Sequence, residues 1–132
     1  MKKIKISKGY ILMFWSPLGD GPELDGGLSG LNLNNIDSIN KLVQELLLPE
    51  YKNWPAQWQF NCKESLRYAI CFASDKELER YYNVGLPQIS LPTSMPIREF
   101  YISIWKFMFN EEGYEISNPE LYEIISEYEI YK

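Results

Sequence analysis

The sequence predicts an α+β fold: a small, mostly antiparallel sheet packed with about four helices in one compact domain over residues 1–132. Three observations lead there. Short runs rich in β-branched and aromatic residues read as strands near the N-terminus and around residues 66–73. Other stretches repeat apolar residues at three- and four-residue spacing, as amphipathic helices do. A chain of 132 residues with 45% hydrophobic and 23% charged residues can bury a core without metal or disulfide support.

Taken in order, residues 3–7 and 10–15 read as one or two strands, rich in Ile, Phe, Tyr and Trp. The lysines at 2, 3, 5 and 8 before a six-residue apolar run resemble a signal peptide only superficially. The run is short, and Ser16-Pro17 follows it in place of a small-residue cleavage site. Residues 16–30 hold five of the eight glycines together with Pro17 and Pro22, which predicts a long exposed loop. Ile36, Ile39, Val43, Leu46 and Leu47 form a helical stripe over residues 36–48, with Asn35 or Asp37 as cap and Pro49 as stop.

Residues 53–63 support two readings. Trp58, Phe60 and Cys62 alternate with polar residues, whereas Trp54, Trp58 and Cys62 share helical spacing; the strand is slightly favoured. Residues 66–73 read as a firmer strand, with Leu66, Tyr68, Ile70 and Phe72 on one face. Ser74 and Glu77 fit a capping box that opens a short helix to about Val84, with Gly85 as a left-handed stop. Three prolines leave residues 86–96 as a connector or short edge strand. Ile97, Phe100, Tyr101, Ile104 and Met108 predict a helix started by Ser94 and Pro96 and stopped by Gly113. A last helix is expected after Asn118 and Pro119, burying Leu121, Ile124, Ile125 and Tyr128.

Composition narrows the chemistry. Histidine is absent, which removes the usual general base near neutral pH and the commonest metal ligand. Cys62 and Cys71 have neither a metal-type spacing nor the number for a disulfide framework, and both read as reduced and buried. No serine sits in a nucleophile elbow and no glycine loop precedes a Lys-Ser/Thr pair. The expectation is a protein that is not an enzyme, with no cofactor and no metal. No stretch approaches the ~20 apolar residues that span a bilayer, so no membrane partner and a cytoplasmic location are expected.

Charge is unevenly placed. Residues 1–110 carry twelve Lys and Arg against eleven Asp and Glu, a balance of +1, whereas residues 111–132 carry seven Glu against Lys132, a balance of −6. Phosphate binding needs clustered cations, so nucleic acid is a poor partner and a basic protein surface a good one. Glu120, Glu123 and Glu127 would share one face of the expected last helix, and Asp20, Glu23 and Asp25 punctuate the glycine-rich loop. That loop lacks the alternating oxygens and closing glutamate of a calcium site. Twenty aromatic residues, ten of them tyrosine, offer interface anchors, with Tyr51 and Trp54 the candidates in a proline-bounded segment.

Residues 42–58 resemble part of the barstar family, small acidic inhibitors that bind and block a ribonuclease. Leu48, Pro49, Tyr51, Asn53, Trp54, Ala56 and Trp58 follow the family's order, with a shorter gap after Tyr51. Pro55 and Gln59 stand where the family carries acidic residues that reach the nuclease, so those roles are not carried over. More generally, the chain is similar in kind to immunity proteins of bacterial polymorphic-toxin and contact-dependent-inhibition systems. The resemblance implies that it binds a cognate toxin such as a nuclease with a basic cleft, and the acidic Glu120, Glu123, Glu127, Asp20, Glu23 and Asp25 are then the expected contacts, with Tyr51 and Trp54 as anchors. The competing readings are a small-ligand-binding protein or carboxylate-dependent enzyme, and a phage or mobile-element inhibitor or structural part.

Overall fold

A computed structural model describes residues 2–19, 24, 28, 30–110 and 112–131. It corrects the expected architecture. Of the described residues 62% are helical, in five helices and short 3-10 turns, and the sheet they form has two parallel strands rather than a mostly antiparallel set. Strand β1 (Ile4–Ile6) pairs with β2 (Tyr122–Ile124) in the register Ile4↔Tyr122, Lys5↔Glu123 and Ile6↔Ile124. Parallel neighbours need a crossover between them. Here that crossover is the helical body of the protein.

Helix α1 (Lys8–Trp15) replaces the second expected strand. A short unbroken apolar run has no diagnostic period, and tertiary burial decides its conformation. Ser7 caps the helix, its Oγ accepting the Gly9 N–H at 3.1 Å. Tyr10, Ile11, Phe14 and Trp15 are then buried at helical spacing, followed by Leu18 in a 3-10 turn (Ser16–Leu18). Leu18 is fully buried, so the expected long exposed loop is anchored at its start.

Helix α2 covers residues 36–52 in three parts: α-helical Ile36–Leu42, a π-helical turn Val43–Leu47 and α-helical Leu48–Lys52. Asn35 caps it, as expected, accepting the Asp37 N–H at 2.9 Å. Pro49 does not end the helix. The π turn passes the Leu48 N–H to Val43 O, which widens the backbone where the proline ring and its missing donor would otherwise break the ladder.

Helix α3 (Ala56–Phe72) overturns both the favoured strand over 53–63 and the firmer one over 66–73. Its buried face runs through Asn61, Cys62, Ser65, Leu66, Ala69 and Ile70. Small and polar residues carry that stripe because α1 and β1 approach closely. Ser65 Oγ accepts the Ser7 N–H at 3.1 Å, and Tyr10 OH accepts from the Asn61 amide at 3.0 Å.

Helix α4 (Asp75–Asn83) opens with the expected capping box, both of its hydrogen bonds being formed. The left-handed residue that follows is Leu86 (φ 54°) and not Gly85. Residues 86–96 form an irregular connector. Helix α5 (Ile97–Phe109) buries the whole expected stripe and adds Trp105, but it ends at Asn110 with φ 53° before reaching Gly113. Arg98 ties the α3–α4 corner to α5 through the carbonyls of Ile70 and Ala73 and the Asp75 carboxylate.

The expected C-terminal helix is absent. Asn118 and Pro119 start only a 3-10 turn (Pro119–Leu121), after which the chain extends as β2 and closes with a second turn (Glu129–Tyr131). Extension lets the chain pair with β1, including the Ile125 N–H donated to Ile6 O at 2.8 Å. At the centre of the core, Trp15 packs against Phe14, Tyr82, Phe100 and Tyr101 with centroids 4.9–5.8 Å away. Its indole N–H donates to Tyr101 OH at 3.1 Å, and that hydroxyl donates to Leu78 O at 2.6 Å. Among the described residues no buried side-chain polar atom lacks a partner.

Candidate functional site

The two parallel strands end at Ile6 and Ile124, and a groove of about 580 Å³ opens beside those ends. Ile6, Ile11, Ser65 and Ala69 line its floor; Tyr68 and Phe72 of α3, Glu77 and Tyr81 of α4, and residues 124–128 form its sides. Large apolar side chains lie open around it. Phe72 is 49% exposed, Ile124 68% and Tyr128 77%. These three belong together in space although they come from two distant parts of the chain.

Two devices hold the groove's outer wall, residues 122–128, in place. The first is steric: a methyl group added at Gly9 would sit 3.0 Å from Ile130 Cδ1 and 3.1 Å from Glu127 Cα. The final turn therefore rests directly on the start of α1, and Lys8 Nζ lies 3.7 Å from the Glu127 carboxylate. The second is a clamp from α3. Arg67 Nε donates to both oxygens of buried Glu64 at 3.2 and 3.3 Å, and its other nitrogens reach the Glu112 carboxylate and Gly113 O. Tyr122 OH donates to Glu64 at 2.6 Å, and the Trp105 indole N–H donates to Glu112 O at 2.6 Å. The guanidinium also lies 4.9 Å from the Trp105 ring centroid.

Electrostatics follow from this packing. Burial works against ionisation of Glu112, but hydrogen bonds and charge from Lys63 and Arg67 outweigh it and hold its pKa below the usual carboxylate range. Burial and the neighbouring Glu64 charge raise the Tyr122 phenol, keeping it a donor. At the groove, the Ser74 backbone and side chain hydrogen-bond to Glu77 and lower its pKa, while burial and the Glu77 charge raise that of Tyr81. Burial raises the thiols of Cys62 and Cys71, which disfavours their nucleophilic thiolate forms. Cys62 is buried as expected, and Cys71 is half-buried with its Sγ 3.3 Å from Tyr114 O. No group of three or more Cys, Asp or Glu side chains among the described residues could hold a metal ion.

No family model matches this chain, and no curated protein or solved structure matches it.

The expected interface residues disperse. Glu127 lines the groove, Glu123 stands on the outer face of β2 across from Lys5, and Glu120 is exposed in the preceding turn. Without the expected helix they share no single face. Tyr51 is buried in the core, donating its hydroxyl to Gln59 O at 2.8 Å, and burial raises its pKa. Trp54 is half-buried against it, with ring centroids 5.7 Å apart. Neither reaches the groove. Asp20, Glu23 and Asp25 lie outside the described residues. Phe72, Ile124 and Tyr128 escape the sequence reading because it places Phe72 on one face of a strand and Ile124 and Tyr128 on the buried side of a last helix, and neither element forms.

Proposed function

We propose that this chain is an immunity-type protein that neutralises a cognate toxin by docking it on the groove formed by Phe72, Ile124 and Tyr128. The observation that carries the proposal is three large apolar side chains, 49–77% exposed, meeting around one concavity. Clusters of this kind mark protein-binding surfaces more often than solvated ones. Four carboxylates, Glu77 and Glu127 on the groove and Glu120 and Glu123 beside it, outnumber the lysines next to them, Lys8 against Glu127 and Lys5 opposite Glu123, and this acidic balance suits a basic partner. The absence of histidine and the two raised thiols favour binding over catalysis. Glu64, the one buried carboxylate among the described residues, is held by Arg67 and Tyr122.

The test pairs capture with toxicity. Wild-type protein and the variant Phe72→Ser/Ile124→Ser/Tyr128→Ser are used to capture partners from the native lysate at low and high salt. The captured partner is then expressed alone and together with each form. The expected result is a partner that arrests growth alone, is tolerated with wild type and is not tolerated with the variant. A partner retained equally by both forms, or harmless when expressed alone, would overturn the proposal.

A further inference from the structure

The sheet has an open edge beside the groove. Pairing of the Ile125 N–H with Ile6 O, in the observed register, turns the Glu123 and Ile125 amides toward β1. Alternation along a strand then turns the Tyr122 carbonyl and the Ile124 N–H and carbonyl to the opposite edge. Among the described residues no group bonds to them. Ile6 and Ile124 face each other across the ladder on the same side of the sheet, yet Ile6 is 3% exposed and Ile124 68%. The sheet is covered under β1 and uncovered under β2, as though one strand were missing.

We propose that the toxin partner binds by adding an extended segment, alternating basic and apolar residues, to the free edge of β2. The inference rests on the protein-binding reading of the groove. Backbone bonds to the Ile124 N–H and carbonyl would supply affinity, and alternate side chains would supply specificity. Apolar side chains of the added strand would fall on the face of Ile124, Phe72 and Tyr68. Its cations would meet Glu123, exposed on β2, together with Glu120 beside it and Glu77 on the groove, whereas Glu112 and Glu127 already have Arg67 and Lys8 as partners. That charge argues against a second copy as occupant, since β2 paired with β2 would bring the same carboxylates together.

The test uses a capped hexapeptide alternating lysine and valine, with three relatives: one N-methylated at every valine, one at every lysine, and one with glutamate in place of lysine. N-methylation removes backbone donors without touching the protein, so a failure to fold cannot mislead. Strand addition requires that one methylated peptide lose binding at least tenfold while the other keeps it. It also requires that the Ile124 amide become protected from exchange, and that the glutamate peptide not bind. Equal binding of both methylated peptides with Ile124 unprotected would overturn strand addition yet leave the groove reading standing. No binding of the lysine–valine peptide at about 1 mM would also overturn strand addition. Concentration-dependent dimerisation that the parent peptide dissociates would overturn it in favour of a second copy. Tight binding by the glutamate peptide would remove the charge argument that the groove reading shares.

Discussion

Replacing Arg67 with methionine removes the centre of the clamp while keeping an unbranched apolar stem against Trp105. The side chain of Arg67 is 13% exposed and that of Glu64 only 8%, so the variant strands a buried carboxylate with the Tyr122 hydroxyl as its remaining partner. Breaking a buried ion pair from one side costs roughly 3–5 kcal/mol. The Glu112 side of the clamp is 42% exposed and adds at most about 1 kcal/mol. Because the Tyr122 hydroxyl still donates to Glu64, the expected value lies at the low end of that range, near 3 kcal/mol at pH 7. With a urea dependence of about 2 kcal/mol per M, the unfolding midpoint should fall by roughly 1.5 M. Equilibrium urea unfolding followed by tryptophan fluorescence and far-UV circular dichroism measures this directly. Adding Glu64→Gln should restore more than half of the loss, because the stranded charge is then gone. A shift worth less than about 0.5 kcal/mol, or a double variant no better than the single one, would refute the clamp as the support of β2.

The remaining predictions concern the same wall and its neighbours. Glu112 has a lowered folded pKa, so its contribution is complete above the unfolded glutamate value of about 4.3 and is lost as pH falls through the lower folded value. Glu112→Gln should therefore flatten the stability profile below about pH 4.5, read as urea midpoints from pH 7 to pH 3. Gly9→Val should cost about 1–3 kcal/mol by pushing Glu127 and Ile130 off α1, and should speed amide exchange in residues 123–130. Ser74→Ala removes the acceptor of the Glu77 N–H and should cost about 1 kcal/mol in thermal or urea unfolding.

Much of the helical body was legible in the sequence. The capping box at Ser74 and Glu77, the Asn35 cap and the stripe from Ile97 to Met108 are local signals, and each produced the expected element. The strand readings failed where local pattern and burial parted. Leu66, Tyr68, Ile70 and Phe72 alternate, but the buried face of α3 passes through Cys62, Ser65 and Ala69, whose small size admits β1 and α1. Hydrophobic period cannot detect a face chosen for closeness. The C-terminal error has another origin. Asn118 and Pro119 give a sound start signal that yields a single turn, because pairing with Ile4–Ile6 at the other end of the chain outweighs continuing the helix. The groove depends on that long-range pairing, so its apolar residues could not be told from core residues. Among the expected interface positions that lie in the described residues, only Glu127 is brought to it.

The central claim is that the groove at the ends of β1 and β2 is the protein-binding face. The most direct measurement is amide hydrogen exchange of the protein, free and in complex with its captured partner, read segment by segment. Protection is expected to concentrate in residues 68–73 and 122–128, with Ile124 among the most protected amides. Protection confined to the lysine-rich surface around Lys2, Lys3, Lys5 and Phe60, with residues 122–128 unchanged, would contradict it.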